Sequence, residues 1–204
     1  AKLVDSWEHP GGNITGTSDY PPIQEQMQLI KDIKPSAKTV GIVYSSSETT
    51  AEVQANLAKE TAAKLGLEVR TATVTNSSEV QQAAKSLAGV DAYYVGNDNT
   101  VVSGVEGVVQ AAEASGAIVI AADPDSVVRG ATAAYAVDQF KMGFNAGKMA
   151  VDVLKNGMNP GDIPVQRQSD SQGNLALTVN PAAAERQGSP LPEAVRARAD
   201  KTVG

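Results

Sequence analysis

Short β-branched runs alternate with amphipathic stretches through most of the chain, and this alternation predicts its architecture. Apolar runs at residues 39–44, 69–75, 91–95, 117–121 and 131–136 read as strands. Ala117-Ile118-Val119-Ile120-Ala121 is apolar without interruption, as a parallel strand covered on both faces requires. The stretches between them have recognisable helix ends. Pro21 and Pro22 open a helix whose apolar stripe is Ile23, Met27 and Ile30. Ser47 is placed to cap a second, with Val53, Leu57, Thr61 and Leu65 as its stripe and Gly66 as its end. Ser78 and Gln81 fit a capping box ahead of Ala84 and Leu87, with Gly89 as the stop. Asn97 or Asn99 starts a helix carrying Val102, Val105, Val109 and Ala112 that runs to Gly116. Five strands with helices between them predict an α/β fold with a doubly wound parallel sheet.

The helix predicted over residues 138–156 differs from the others. Phe140, Phe144, Gly147, Val151 and Leu154 line one face, while Met142, Ala146, Met149 and Val153 line a second. Such a helix expects cover on more than one side. Beyond Gly157 the sequence predicts a turn at 159–162, an extended segment at 163–168, a last strand at 175–180 and a short helix at 192–201.

Composition narrows the function classes. Of 204 residues, 42% are hydrophobic, enough for a core, and no apolar run approaches a membrane span. A net charge of −6 without a basic block argues against a nucleic-acid partner. The chain has no cysteine, which excludes disulfides, thiolate catalysis and Cys-based metal sites. Its single histidine, His9, sits in the turn-rich segment 9–19 and reads as a loop residue, not a metal ligand. Residues 1–10 lack the charged-then-apolar order of a signal peptide, so the chain reads as cytoplasmic, mature or a fragment. The first strand is not followed by G-x-G-x-x-G, and neither G-x-x-x-x-G-K-[ST] nor G-x-S-x-G occurs. The expectation is a protein that is not an enzyme and needs no cofactor or metal.

In open parallel sheets, ligands sit beyond the carboxyl ends of the strands, so the residues following each strand are the candidates. After the first strand come Ser45-Ser46-Ser47-Glu48, where Ser46, Ser47 and Glu48 can cradle a polar ligand or simply cap a helix. After the third come Asn97, Asp98, Asn99 and Thr100, more polar groups than one cap needs, although Asn and Asp also make routine turns. After the fourth come Asp123 and Asp125, which suit an ammonium or sugar hydroxyls and can equally cap the next helix. With no His, Cys or placed Lys at the neighbouring strand ends, the pair reads as a binding feature.

Glu8-His9-Pro10-Gly11-Gly12-Asn13-Ile14-Thr15-Gly16 resembles the crossover segment of the ABC-transporter substrate-binding family that includes the tryptophan/aromatic amino-acid binding lipoproteins. The stretches 76–81, 98–102, 125–131 and the tail element 191–201 resemble the same family, in the same order along essentially all of the chain. The resemblance implies a type I periplasmic binding protein, two α/β lobes joined by a multi-strand hinge that close on a ligand. It assigns residues 1–19 to the end of an amino-terminal lobe and the first crossover, and 20–135 to a complete ligand-binding lobe. Residues 136–170 become a crossover and a helix that packs on a largely missing second lobe, and 171–204 a return strand and tail. It places Ser46, Ser47, Glu48, Asn97, Asp98, Asn99, Thr100, Asp123 and Asp125 toward the cleft, favouring Asn97 and Asp123. It also puts Thr17, Ser18 and Asp19 near the first crossover and Tyr135 near the second. Ser46 and Pro124 stand where relatives often have Pro and Thr. The implied protein is extracytoplasmic, periplasmic or a membrane-anchored lipoprotein, and binds a small polar solute, an amino acid foremost, for an ABC permease. The alternative is a one-lobe interaction module, with the exposed surface left by a missing lobe making a homodimer.

Overall fold

The computed structural model describes residues 3–204. In chain order, a short strand β1 (Thr17–Ser18) precedes helix α1 (Ile23–Ile33), strand β2 (Thr39–Ser45) and helix α2 (Thr49–Lys64). Then follow β3 (Glu68–Val74), α3 (Val80–Ser86), β4 (Ala92–Val95) and two successive helices, α4 (Asn99–Ser103) and α5 (Val105–Ser115). After β5 (Ile118–Ala121) come α6 (Pro124–Val128), β6 (Ala133–Val137) and the long α7 (Gln139–Leu154). The last stretch carries β7 (Gln166–Arg167), β8 (Leu175–Val179), α8 (Pro181–Arg186), α9 (Glu193–Arg196) and β9 (Lys201–Thr202).

The chain divides into two units, Pro22–Ala136 with Leu177–Gly204 and Ala1–Pro21 with Val137–Ala176. The larger unit is built on a sheet of order β3-β2-β4-β5-β6-β8-β9. Its pairs β2–β3, β2–β4, β4–β5, β5–β6 and β8–β9 are parallel. The chain leaves β2 toward β3 and returns on the other side to β4, so the topological switch lies between the carboxyl ends of β2 and β4. Both faces are covered, which is why the central strands are apolar throughout. Ile42, Tyr94, Ile118 and Ile120 pack with Met27 of α1 and Ala58 of α2. Val43, Tyr93, Val95 and Val119 pack with Ala83 of α3 and Val108 of α5.

Five local expectations are corrected. In α2 the buried residues are Ala51, Ala55, Ala58 and Ala62, while Val53 is exposed. The alanine face is the one thin enough to pack closely, and the larger side chains are displaced from it. Ser47 does not cap α2, which starts at Thr49 without a side-chain cap. The capping box ahead of α3 lies two residues earlier than read: Asn76 accepts from the Ser78 N–H, and Glu79 reaches back to the Thr75 N–H at 2.7 Å. The single helix expected up to Gly116 is two, broken at Gly104, where a β-carbon would stand 2.8 Å from the Ser77 carbonyl oxygen. Toward the carboxyl end, the predicted helix over 192–201 is only α9, and Lys201 instead begins the edge strand β9.

The smaller unit holds the parallel pair β1–β7, with the Thr15 hydroxyl donating to the Ile163 carbonyl at 2.7 Å. Helix α7 has the apolar composition read from the sequence, yet none of its residues is buried, and Phe140 and Leu154 are 82% and 85% exposed.

Candidate functional site

Three adjacent strands, β2, β4 and β5, end side by side, and the polar segments that follow them meet at one edge of the sheet. The tie between the first two is Asp98. Its Oδ2 accepts the Ser45 N–H at 2.6 Å, and its Oδ1 accepts the N–H groups of Thr100 at 3.0 Å and Val101 at 3.1 Å. The side chain thus caps α4 and bridges the switch point, and at 3% exposure it has no oxygen left over for a ligand. A buried carboxylate is tolerable here because three N–H dipoles converge on it.

The loop after β2 is held from below. The Ser46 N–H and hydroxyl both donate to the Val74 carbonyl, at 3.0 and 3.3 Å, and the Ser47 N–H donates to the Ser45 hydroxyl at 3.3 Å. Ser46 and Ser47 are exposed, and the half-buried Glu48 accepts the Thr100 hydroxyl at 3.2 Å, joining the loops after β2 and β4. The Asn97 N–H donates to Gln54 Oε1 at 3.0 Å, and a β-carbon at Gly96 would lie 2.9 Å from that same oxygen. A side chain at Gly96 would therefore displace Gln54 from the Asn97 N–H. The side chains of Asn97 and Asn99 remain exposed.

After β5, Asp123 caps α6, accepting the Ser126 N–H at 2.8 Å and its hydroxyl at 2.7 Å. Asp125 is exposed. Tyr135 of β6 is half-buried, which pushes its phenol pKa up, and its carbonyl accepts the Gln26 amide at 2.8 Å. Gln26 in turn accepts the Tyr94 hydroxyl at 2.7 Å, and full burial raises the Tyr94 pKa far enough to keep that phenol protonated.

All ten candidates therefore lie at or beside the carboxyl edge of four consecutive strands, but they do two kinds of work. Asp98 and Asp123 are committed to caps, and Thr100 and Glu48 mainly to each other. Ser47, Asn97, Asn99 and Asp125 present free polar surface, and Ser46 is exposed with its hydroxyl donating to Val74. The edge carries the carboxylates of Glu48, Asp98, Asp123 and Asp125, and the nearby Arg129 is already paired with Glu106 at 2.6 Å. Its charge suits a ligand with an ammonium group. Ser45, Gln54 and Arg129, which fix the loops, carry no sequence signal of their own, because their partners are 53, 43 and 23–27 residues away.

Thr17, Ser18 and Asp19 belong to the smaller unit. Partial burial raises the Asp19 pKa, opposed by a hydrogen bond from Gln139. In that unit Trp7 and Tyr20 meet edge to face at 6.4 Å, with the Arg167 guanidinium 5.5 and 6.0 Å from their ring centres. His9 closes a turn through its N–H to the Ser6 hydroxyl, and among the described residues no cluster of acidic or His side chains could hold a metal.

Residues 1–203 match the family model described as ABC transporter substrate binding protein. A tyrosine-binding protein of Clostridioides difficile is 39% identical over 173 residues, covering 84% of this chain and 50% of that relative. The chain spans about half the length of the curated relatives it matches. Among solved structures, an ABC domain from Streptococcus pneumonia in complex with L-Trp is 36% identical, with a TM-score of 0.80 over 98% of this chain and 68% of that one. A ligand-free, open substrate binding protein with adhesive properties from Clostridium difficile is also 36% identical, with a TM-score of 0.84 over 98% of this chain and 66% of that one.

Proposed function

We propose that this chain, which belongs to the ABC transporter substrate-binding protein family and has the type I periplasmic binding protein fold, captures an aromatic L-amino acid at the carboxyl edge of its larger unit. The observation that carries this reading is the convergence of free polar side chains after β2, β4 and β5 on a backbone already locked by Asp98, Gln54 and Ser46. Such an edge offers Asn97 and Asn99 amides, serine hydroxyls and carboxylates from a backbone already held, so binding has to order side chains but not the loops. The acidic balance suits the ammonium of an amino acid. The names of two relatives, one tyrosine-binding and one solved with L-Trp, support the aromatic side chain.

In the full-length protein, the ligand is enclosed between this lobe and a second one, and the loaded protein delivers it to a membrane permease outside the cytoplasm. Enclosure strengthens each polar contact by excluding water. No helix among the described residues is long and apolar enough to cross a membrane. Isothermal titration of the full-length protein with L-tyrosine, L-tryptophan, L-leucine and D-ribose tests the reading. Heat with the two aromatic amino acids alone is expected, whereas binding of ribose without them would overturn it. A second reading, self-association through α7, is favoured by the exposure of Phe140, Phe144, Val151 and Leu154. A species that stays monomeric in sedimentation across a wide concentration range would remove that second reading.

A further inference from the structure

Arg129 lies outside the polar segments, yet it touches the elements that carry two of them. Its Nε and Nη2 donate to the two oxygens of Glu106 at 2.7 and 2.6 Å. The same guanidinium donates from Nη1 to the Val102 carbonyl at 2.6 Å and from Nη2 to the Ser103 carbonyl at 3.2 Å. Val102 and Ser103 are the last residues of α4 before the break at Gly104, where carbonyls lose their helical partners. Glu106 sits in the first turn of α5, where a carboxylate faces N–H groups. The pair therefore bridges the break, with its cation on the carboxyl end of one helix and its anion on the amino end of the next. An exposed ion pair alone stabilises a fold little. Four hydrogen bonds from one rigid fork to fixed acceptors do something else, which is to set geometry.

The backbone of Arg129 ends α6, with its N–H donating to the Asp125 carbonyl at 3.1 Å. One residue is thus anchored at the end of the segment 123–125 and grips the far end of the helix that begins the segment 97–100. Asp98 holds the near end of that helix to Ser45. We infer that Arg129 is a positioning residue for the ligand site, a clamp that makes the loops after β4 and β5 one rigid surface as Asp98 does for those after β2 and β4. The inference rests on the proposed ligand site for its consequence, but not for its geometry.

The test uses the full-length protein with Arg129→Lys, Arg129→Gln and Glu106→Gln. Lysine keeps the charge but cannot hold two carboxylate oxygens and two carbonyls at once, so charge alone should not rescue the clamp. Hydrogen exchange in the ligand-free protein is expected to rise at least about tenfold over residues 97–103 in Arg129→Lys. Exchange over β5, whose Val119 N–H is held by Thr132 and Gln187, should stay unchanged. The affinity for L-tyrosine and L-tryptophan should fall about tenfold, and Glu106→Gln should do the same more weakly. Unchanged exchange over 97–103, a uniform rise across the domain, or local loosening with unchanged affinity would each overturn the inference. If Arg129→Gln does not fold, Arg129→Lys and Glu106→Gln carry the test. If the unsubstituted protein binds neither amino acid, the proposed function fails, and the exchange pattern alone decides whether the clamp exists.

Discussion

Asp98 and Asn97 are neighbours with opposite exposure, and the difference sorts structural from functional weight residue by residue. Truncating Asp98 to Ala removes a helix cap, worth about 1 kcal/mol, and strands the buried Ser45 N–H, worth about 1–3 kcal/mol. Urea denaturation should therefore show a loss of about 2–4 kcal/mol at an unchanged slope. Asn97→Ala and Asn99→Ala remove exposed amides and should leave stability within about 0.5 kcal/mol while weakening aromatic amino-acid binding about tenfold. Equal stability losses at Asp98 and Asn97 would undo this division. Sequence alone pointed to the whole polar run, because Asn-Asp-Asn-Thr exceeds what one cap needs. It could not say which member caps, since that depends on Ser45, 53 residues away, arriving beside it.

At the level of elements, the helix faces were legible wherever the sheet contact uses large side chains, as in α1. They were misread where it uses alanine, as in α2, because a hydrophobicity pattern ranks Val53 and Leu57 above Ala55 and Ala58. Packing distance decides the outcome there. The same close approach governs α5, where a β-carbon on Gly107 would lie 2.8 Å from Gln81 Cβ and 2.9 Å from Gln81 Cα. Gly107→Ala should destabilise by about 1–2 kcal/mol, overpacking outweighing the better helix propensity of alanine. At Gly143 in α7 nothing stands within 4 Å of such a carbon, so Gly143→Ala should stabilise by about 0.5–1 kcal/mol. Thermal melts of the two variants check the contrast, and a shift in the same direction for both would contradict it.

For the whole molecule, the fold class followed from the alternation of strands and helices, and the strand order places the polar segments after β2 and β4 at a switch point that no local pattern reveals, with the segment after β5 beside them. Acid stability is a property at this scale. The Arg129 hydrogen bonds hold Glu106 below its ordinary value of 4.5, and the Thr75 N–H does the same for Glu79. Burial alone would raise Asp91, but the N–H groups of Lys38 and Thr39, the Thr39 hydroxyl and Lys34 together bring it below 3.8. Groups depressed in the native state add stability above their unfolded values and lose it as pH falls through the native ones. Asp19, raised by burial, has the opposite sign and recovers stability as it protonates. The unfolding midpoint should therefore hold between about pH 7 and 5 and drop below about pH 4, whereas a midpoint that rises on acidification would show that Asp19 dominates. The central claim is that an aromatic amino acid is read by the carboxyl edge of β2, β4 and β5. Amide chemical shifts of the full-length protein, recorded during titration with L-tryptophan, test it most directly. The account predicts the largest shifts at Ser46, Ser47, Asn97, Asn99 and Asp125; saturation of binding with those five amides unmoved would contradict it.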